Sequence, residues 1–427
     1  MSREMKYTNT EWLKDIPTNW KISKINALYS LRNEKVSDRD YPPLSVTMKG
    51  ILPQIETAAK TNAHDDRKLV LKGDFAINSR SDRRGSCGIS EYDGSVSLIN
   101  TVMKPNGKMD PGYYNWLFHT TEFADEFYKW GHGIVDDLWT TNWQDMKHID
   151  VPVPPLTEQH RIADFLDSKC SQIDEISKKI QEEIDTLEEY KKSVITEVVT
   201  KGLDPNVEMK DSNNPWYSAI PEKWKIMKTL YVLSQPITDG PHTTPELFDD
   251  GVPFVSAEAV SFGKGGIDFD HIRGYISEEF YELCSRKYVP QKQDVYMIKS
   301  GATTGRVSIV TTDRKFTIWS PLAVFRCNEL IMNPKFLFYA LQSAPYQNQV
   351  QDGWSYGTQQ NIGMRTLEQL RIAVPSIAEQ NDIVEYLDNY WNDVSSTIEA
   401  KQKQLTTLEE YKKSLIYEYV TGKKEVA

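Results

Sequence analysis

Eight consecutive residues, TLEEYKKS, occur twice in this chain of 427 residues, at 186–193 and at 407–414. The match continues upstream without a gap, because PLTEQHRIADFLD (155–167) aligns with SIAEQNDIVEYLD (376–388) at the same offset of 221. Paired identities over this length are not a chance match between two charged helices. The chain is therefore a tandem duplication, and its fold must contain the same framework twice.

A second set of identities lies further upstream in each half. The spacing W-x3-I-P-x2-W-K-I begins at Trp12 and again at Trp216, an offset of 204. The offsets differ by 17, so the variable part of the second half is 17 residues longer. Because both halves share the tryptophans, we expect them to anchor the two cores: Trp12, Trp20, Trp216 and Trp224.

The duplicated segments predict two long helices. Neither 171–200 nor 392–420 contains Pro or Gly, and each predicts one helix of about 30 residues, roughly 45 Å long. Apolar residues recur at spacings of 3 and 4, and burying each Ile or Leu contributes roughly 1.5–3 kcal/mol, so the two stripes should pair as an antiparallel coiled coil. The residues expected in that coil are Ile173, Ile180, Leu187, Tyr190, Val194, Leu405, Leu408, Tyr411 and Leu415.

The segments between the helices predict two α+β domains. Strand-like runs such as LVLKGDFAIN and FTIWSPLAVF alternate with helical patterns such as YYNWLFHTTEFADEFY. The sequence thus predicts a pseudo-twofold tandem repeat in which GLDPNVEMKDSNNP is a polar linker. Its expected parts are a first variable domain (1–155), a first helical repeat (156–202), a second variable domain (203–376) and a second helical repeat (377–427).

Composition restricts the class of protein. The four cysteines are far apart and include no CxxC pair, so neither a disulfide framework nor a zinc site is indicated. No run approaches the ~18 apolar residues of a membrane span, and the first residues lack a secretory pattern. These features predict a cytoplasmic protein.

The net charge of −11 argues at first against binding to nucleic acid. Residues 158–202 hold 11 acidic and 7 basic residues, and residues 379–424 hold 9 and 6, so these two segments carry −7 of the total. Salt screens charges over roughly 8 Å, and the acidic helices therefore have little effect on a distant basic loop.

The sequence lacks the common catalytic motifs. We find no GxxxxGK[ST] phosphate loop, no HExxH, no GxSxG and no Gly-rich dinucleotide motif, and YPPL (41–44) lacks the leading residue of an amino-methyltransferase motif. We therefore predict a protein that binds, with no catalytic residues and no metal site. A single-chain endonuclease or methyltransferase with a duplicated recognition module is the alternative, and a scaffold that binds only proteins is a third possibility.

Two variable domains that alternate with two nearly identical helical repeats resemble the DNA-specificity subunit of type I restriction-modification systems. The resemblance covers nearly the whole chain. It is most specific in the Pro…(T/A)EQ segments at 154–159 and 375–380, each of which ends in an EQ motif, in the LEEYKKS helices and in the W-x3-IP-x2-W openings. TDGPHTTP (238–245) and GATTGRVSIV (301–310) also resemble elements of that family's recognition domains.

The resemblance implies a DNA-binding subunit that is not itself an enzyme. Each target recognition domain would read one half of a bipartite, asymmetric site in double-stranded DNA, and the helices would set the spacing and dock two methyltransferase subunits. S-adenosylmethionine, ATP and Mg²⁺ would bind to partner subunits, including two motor-nuclease subunits, and this chain would bind none of them. Readers in successive major grooves need about 34–36 Å between half-site centres, close to the predicted helix length.

In the first domain, two stretches are candidates for DNA contact. Arg80, Arg83 and Arg84 lie in RSDRRG, and arginine can bind guanine edges or phosphates; the alternative is a surface loop in which Asp82 neutralises one arginine. WTTNWQ (139–144) supplies Thr140, Thr141 and Asn142, for which loop capping is the alternative.

In the second domain, the aligned stretches differ in sequence. KSGATTGR replaces the basic loop and offers Lys299, Thr303, Thr304 and Arg306, with an ordinary hairpin as the alternative. The candidates from DGPHTTP and WSYGTQQN are His242, Thr243, Thr244, Gln359, Gln360 and Asn361. Turn chemistry set by Gly240 and Pro241 is the alternative for the histidine and its neighbours. The difference between the aligned loops suggests that the domains read different half-sites.

Overall fold

The structure is a computed structural model, and it describes residues 3–54, 65–80, 83–107, 109–133, 139–356 and 360–426. The chain divides into two compact units. The first consists of residues 1–181 and 402–427, and the second of residues 182–401. Each unit therefore combines one variable domain with parts of both long helices.

The variable domain of the first unit is α+β. Its described strands are β1 (Met5–Tyr7), β2 (Asp15–Pro17), β3 (Lys21–Lys24), β4 (Tyr29–Arg32), β5 (Lys35–Val36), β6 (Leu44–Thr47), β7 (Gly50–Pro53), β8 (Arg67–Val70), β9 (Phe75–Asn78), β10 (Cys87–Ile89), β11 (Gly94–Val96), β12 (Asn100–Pro105) and β13 (Asp150–Val153). Its short helices are α1 (Ile25–Leu28), α2 (Pro111–Phe118), α3 (Thr121–Lys129) and α4 (Trp143–Met146). The first long helix, α5 (Leu156–Lys201), begins in this unit.

The second variable domain follows the same order. Its described strands are β14 (Met209–Asn214), β15 (Tyr217–Pro221), β16 (Lys225–Lys228), β17 (Thr238–Asp239), β18 (Val252–Val255), β19 (Tyr275–Ile276), β20 (Val295–Ile298), β21 (Val307–Ile309), β22 (Thr317–Ile318), β23 (Leu322–Phe325), β24 (Ser355–Tyr356), β25 (Gln360–Asn361) and β26 (Arg371–Val374). Its helices are α6 (Ala257–Phe262), α7 (Glu278–Ser285), α8 (Pro334–Gln342), α9 (Ala344–Asp352) and α10 (Met364–Gln369), with 3-10 turns at Thr229–Val232 and Phe269–His271. The second long helix is α11 (Ile377–Val420).

The duplication extends to the sheets. A four-stranded sheet has the order β10-β9-β12-β4 in the first unit and β21-β20-β23-β17 in the second. The two-stranded pairs also correspond, β1-β2 with β14-β15 and β13-β3 with β16-β26. The described strand pairs are antiparallel except for β18 and β22, which run parallel. The dissimilar variable sequences therefore fold on one shared plan.

The structure corrects the predicted linker. Residues 209–214 of GLDPNVEMKDSNNP form β14, which pairs with β15 as β1 pairs with β2. The repeat thus begins earlier than Trp12 and Trp216, since MKYTNTEW (5–12) aligns with MKDSNNPW (209–216). The lysines of these segments have the same role. Lys6 Nζ donates to the Thr18 carbonyl and Lys210 Nζ to the equivalent Glu222 carbonyl, in the turn before each W-K-I motif.

The repeated EQ motif attaches each long helix to a variable domain. Trp20 Nε1 donates to Glu158 Oε2 over 2.9 Å, and in the second unit Trp224 Nε1 donates to Glu379 Oε2 over 3.0 Å. The glutamine that follows each glutamate is buried. It accepts a hydrogen bond from the backbone N–H of the residue just before a short helix, Asp110 before α2 in one unit and Asn333 before α8 in the other.

The long helices are longer than predicted. They contain 46 and 44 residues, because each already begins two residues before its EQ motif, so at 1.5 Å per residue they are roughly 65–70 Å long. Their first turns pack on a variable domain, as Ile162 and Leu166 do in the first unit. The predicted helix length of about 45 Å was close to the 34–36 Å between half-site centres, but the observed helices are much longer. Helix length therefore no longer supports a spacer role. Among the described residues, no helix has the length and apolarity to cross a bilayer.

Within each unit the two long helices pair antiparallel. In the first unit Phe165 packs on Tyr419 and Asp174 pairs with Lys412. In the second unit Glu183 pairs with Lys401 and Tyr190 packs near Tyr390. In both cases the residue number falls along one helix as it rises along the other. The predicted α+β fold with an antiparallel coiled coil is confirmed.

The coil follows a stricter heptad than the predicted apolar stripe. The seam of buried and half-buried residues has spacings of 4 and 3 throughout, and it consists of 173, 177, 180, 184, 187, 191, 194 and 198 on one helix and 394, 398, 401, 405, 408, 412, 415 and 419 on the other. Tyr190 and Tyr411, predicted in the coil, lie one residue off the seam and are 56% and 54% exposed, although the Tyr190 ring still contacts Tyr390 of the other helix. Lys191 and Lys412 take the seam positions, since a lysine stem can pack while its ammonium reaches a partner.

Candidate nucleic-acid interface

In the first unit, two of the predicted reading segments lie side by side. Thr141 N–H donates to the Ser79 carbonyl over 2.9 Å, and Arg80 forms an antiparallel bridge with Thr140. Tyr128 Oη donates to the Arg80 carbonyl over 2.8 Å, which attaches the start of the arginine loop to α3. The arginine loop after β9 and the segment before α4 therefore form one continuous surface.

The arginines of this surface differ in their surroundings. Arg83 and Arg84 are exposed, and Arg80 is half-buried. The Arg84 guanidinium lies 4.5 Å from the centre of the Tyr128 ring and 3.1 Å from Asp125 Oδ1, in an ion pair whose two side chains are about half exposed. Ion pairs this exposed contribute little and can be exchanged for a phosphate or a base edge. Asp82, the predicted neutralising acid, lies outside the described residues.

In the second unit, the aligned segments meet in the same way. Ile362 N–H donates to the Lys299 carbonyl over 2.8 Å, and Ser300 bridges Asn361. The match places Ser79 with Lys299, Arg80 with Ser300 and Thr140 with Asn361. Gln360 and Asn361 are exposed here, and Thr303 and Thr304 are half-buried beside them. Gln359 lies outside the described residues.

Glycines shape the loop of the second unit. Gly301 and Gly305 have φ angles of +104° and +93°, which favour glycine, and they bracket a turn in which Thr304 Oγ1 donates to the Gly301 carbonyl. Arg306 is exposed and its Nη1 donates to the Ser261 carbonyl over 3.1 Å. The hairpin chemistry considered as the alternative is therefore present, and it holds the exposed side chains in place.

The third candidate segment, DGPHTTP, reaches the same area of the second unit. His242, Thr243 and Thr244 are exposed, and His242 Nε2 lies 3.1 Å from the buried Asp239 carboxylate. The same carboxylate lies 3.4 Å from Lys299 Nζ. Two predicted reading segments that are 60 residues apart in the chain are thereby joined through one acid.

Three predicted contact residues have other roles in the structure. Thr141 is fully buried and its hydroxyl donates to the Phe127 carbonyl, so its side chain cannot reach DNA. Lys299 has a side chain only 11% exposed, turned toward Asp239. Asn142 caps α4, since its Oδ1 accepts from Gln144 N–H while Asp145 binds the Asn142 N–H in return. The capping alternative therefore describes Asn142 correctly, although its side chain is exposed.

The shared tryptophans lie in the framework. Trp12, Trp20 and Trp224 are buried, and Trp216 is half-buried against the core of its unit. Sequence reasoning missed the buried acid Asp239 and its partner Lys287, which come from segments without a shared period. The Asp-Gly dipeptide after a short strand was the available signal, because an Asp side chain at a turn often hydrogen-bonds the backbone of that turn.

Comparison with known proteins agrees with this architecture. A curated protein of Methanocaldococcus jannaschii, named as the MjaX type I restriction enzyme specificity subunit in a provisional assignment, is 24% identical over 448 residues, which cover 99% of this chain and 97% of that protein. The MjaVIII specificity subunit of the same organism is 25% identical over 336 residues, 76% of this chain and 74% of that protein.

A solved structure shares the fold. A chain from a study of complex assembly and conformational transition in the type I R-M system superposes with a TM-score of 0.66 at 18% identity, covering 96% of this chain and 99% of that chain. The family model described as Type I restriction modification DNA specificity domain matches residues 17–186 and again 241–407. These two matches cover most of the sequence, and the chain therefore belongs to the family of type I restriction-modification DNA-specificity subunits, with two recognition domains.

Proposed function

We propose that this chain is the non-catalytic DNA reader of a type I restriction-modification complex, and that its two domains read the two halves of a bipartite, asymmetric target. The observation that carries the proposal is the equivalence of the two loop surfaces. The same backbone contacts join Ser79 to Thr141 and Lys299 to Ile362, yet the neighbouring half-buried and exposed side chains differ. Arg80 in one unit corresponds to Ser300 in the other, and Thr140 to Asn361.

These differences favour different bases. Arginine forms bidentate contacts with guanine, whereas asparagine and glutamine suit adenine. One scaffold with unlike side chains at equivalent positions is what two unlike half-sites require.

We further propose that the helices dock two methyltransferase subunits through the octapeptide. TLEEYKKS has the same exposure pattern in both copies, with six of eight residues exposed. By contrast, packed positions have diverged, since Cys170 corresponds to Trp391 and Ser177 to Ile398. The packing of the coil therefore does not explain why the exposed residues of the octapeptide are identical while the packed positions differ. Two identical surfaces suit two copies of one partner, with the rings of Tyr190 and Tyr411 as the apolar contacts.

The catalytic chemistry belongs, in this proposal, to the partners. S-adenosylmethionine would bind to the methyltransferase subunits, and ATP and Mg²⁺ to motor-nuclease subunits. The alternative, a single-chain endonuclease or methyltransferase, predicts turnover by the isolated chain supplied with Mg²⁺, ATP and S-adenosylmethionine. Any methylation or cleavage by that preparation would favour the alternative.

The decisive experiment maps methylated adenines in the host genome with the gene present and deleted. We expect a split motif whose methylation disappears with the gene. Duplexes with either half scrambled should then compete poorly for the complex of this chain with its methyltransferase partner. Methylation that ignores one half of the motif would refute the two-reader proposal.

A further inference from the structure

A buried carboxylate lies at the start of one reading segment of the second domain. Asp239 ends β17, and its side chain is 1% exposed. Its Oδ1 atom accepts a hydrogen bond from Lys287 Nζ, two residues after α7. Its Oδ2 atom lies near His242 and Lys299 but has no aligned hydrogen bond to either. Two lysines and a histidine from three segments therefore meet at one carboxyl group.

This cluster has an excess of positive charge. Burial alone would raise the pKa of the Asp239 carboxyl, but the hydrogen bond from Lys287 and the charges of Lys287, Lys299 and His242 hold that pKa below its ordinary value. The carboxylate is thus ionised at neutral pH, and it balances only one of the two ammonium groups. The cluster keeps a net charge of at least about +1, whichever state His242 adopts.

The excess charge is on the solvent side. Lys299 is almost enclosed, whereas the side chains of Lys287 and His242 are 50% and 71% exposed. An ammonium group has three N–H donors, so the bond to Asp239 leaves Lys287 with donors for a ligand. The cavity beside Lys287 is lined mainly by apolar side chains such as Phe280 and Leu283. The donors that an approaching anion would meet are therefore the exposed side chains of Lys287 and His242.

The first domain lacks this arrangement. In its four-stranded sheet Val102 pairs with Arg32, as Val324 pairs with Thr238 in the second domain. The residue that corresponds to Asp239 is therefore Asn33, which is neutral. The cluster is a property of the second reader and not of the duplicated framework.

We propose that Lys287 and His242 form a binding site for a DNA backbone phosphate beside the half-site of the second domain, with Asp239 as the residue that positions them. The site rests on the proposed function, because its ligand is the DNA that this chain would read. The phosphate contact would fix the register of the second domain on the duplex. The loops after β17 and β20 would move together through the shared carboxylate.

The test measures how the affinity for a mixed-sequence duplex depends on salt, with the full chain assembled with its methyltransferase partner. Lys287→Met should lower the slope of log K against log salt by about 1, since each phosphate contact contributes about 0.9 on duplex DNA. Lys292→Met is the matched control, an exposed lysine of the same domain that pairs with Asp313. It should leave the slope unchanged, and Lys287→Arg should restore it.

Asp239→Asn separates positioning from simple electrostatics. Removing a negative charge from a DNA-facing surface would by itself tighten binding. A positioning role predicts the reverse, a loss of about tenfold, because Lys287 and His242 lose the group that holds them. If this variant does not fold, Lys287→Met and Lys287→Arg still decide. A wild-type slope for Lys287→Met, or tighter binding by Asp239→Asn, would overturn the site. Failure of the wild-type complex to bind any duplex would instead refute the proposed function along with it.

Discussion

The buried glutamine of the EQ motif gives the sharpest prediction about stability. Gln380 is fully buried in the second unit, and its side chain makes three hydrogen bonds to the backbone. It accepts from Asn333 N–H over 2.7 Å and donates to the carbonyls of Ile331 and Pro375 over 2.9 and 3.0 Å. The bonds to Asn333 and Ile331 join the start of α11 to the segment that precedes α8, and the bond to Pro375 closes onto the residues just before α11.

Gln380→Met removes the bonds while nearly conserving volume, so the change isolates their contribution. A hydrogen bond contributes a net ~0.5–1.5 kcal/mol, and a buried group left without a partner costs ~1–3 kcal/mol. We expect the second unit to lose about 3 kcal/mol. For a unit of this size each kcal/mol lowers Tm by about 2–4 °C, which gives a decrease of about 6–12 °C.

The first unit supplies an internal comparison. Gln159 makes two such bonds, from Asp110 N–H and to the Pro154 carbonyl, both 2.8 Å long. Gln159→Met should therefore destabilise its unit by about two thirds as much. Gln404→Met, at an exposed position of the second long helix, is the control and should leave both transitions in place.

Differential scanning calorimetry of the three variants measures these shifts, since a protein with two compact units need not melt in one transition. The variants themselves identify the transition of each unit. If Gln380→Met melts within about 1 °C of Gln404→Met, the EQ motif does not hold the helix to the domain as argued.

Three further predictions concern the reading loops and the coil. Arg83→Ala with Arg84→Ala should weaken reading of one half-site only, by ~1–3 kcal/mol per lost bidentate contact, and equal weakening at both half-sites in duplex competition would contradict the assignment. Tyr411→Ala alone should reduce the number of bound methyltransferase subunits from two to one, as measured by native mass spectrometry, and retention of both would exclude the octapeptide as the docking surface. Lys191 lies 3.0 Å above the Trp391 ring, and burial lowers the pKa of its ammonium from 10.5 to about 8. Between pH 8 and 10.5 the unfolded chain then holds the proton that the folded chain has lost, so this group's contribution to stability should rise with pH. Lys191→Met should stabilise the second unit at pH 7 by up to about 1 kcal/mol, after allowance for its partial exposure, and denaturant unfolding should show no such gain for Lys412→Met, which breaks the pair with Asp174.

The duplicated plan was predictable because identities at fixed offsets do not depend on local propensity. The α+β class, the antiparallel coil and the family followed from it. Within the coil, an apolar stripe through Ile176 and Tyr190 competes with a heptad through Ser177 and Lys191. Residue type favours the apolar stripe. The structure has the heptad instead, because strict alternation of spacings of 4 and 3 keeps one seam facing the partner helix.

The reading surface was predictable only in part. The alignment of WTTNWQ with WSYGTQQN placed the right segments together, but not the direction of each side chain. Consecutive residues of an extended segment face opposite sides, so Thr140 and Thr141 cannot both face solvent. The Asp239 cluster depends on tertiary contacts among residues 239, 242, 287 and 299, and no local pattern records them.

The composition of the first unit has a consequence for biosynthesis. Its core contains Leu415 and Val420 beside Trp20, and Tyr113 Oη donates to the Val420 carbonyl over 2.6 Å. The second unit, by contrast, is one uninterrupted stretch of chain. At the usual pace of translation, the first unit waits on the order of tens of seconds for its last segment. A newborn chain would thus complete its second reader first, and in that interval chaperones and proteases would meet the first reader unfinished.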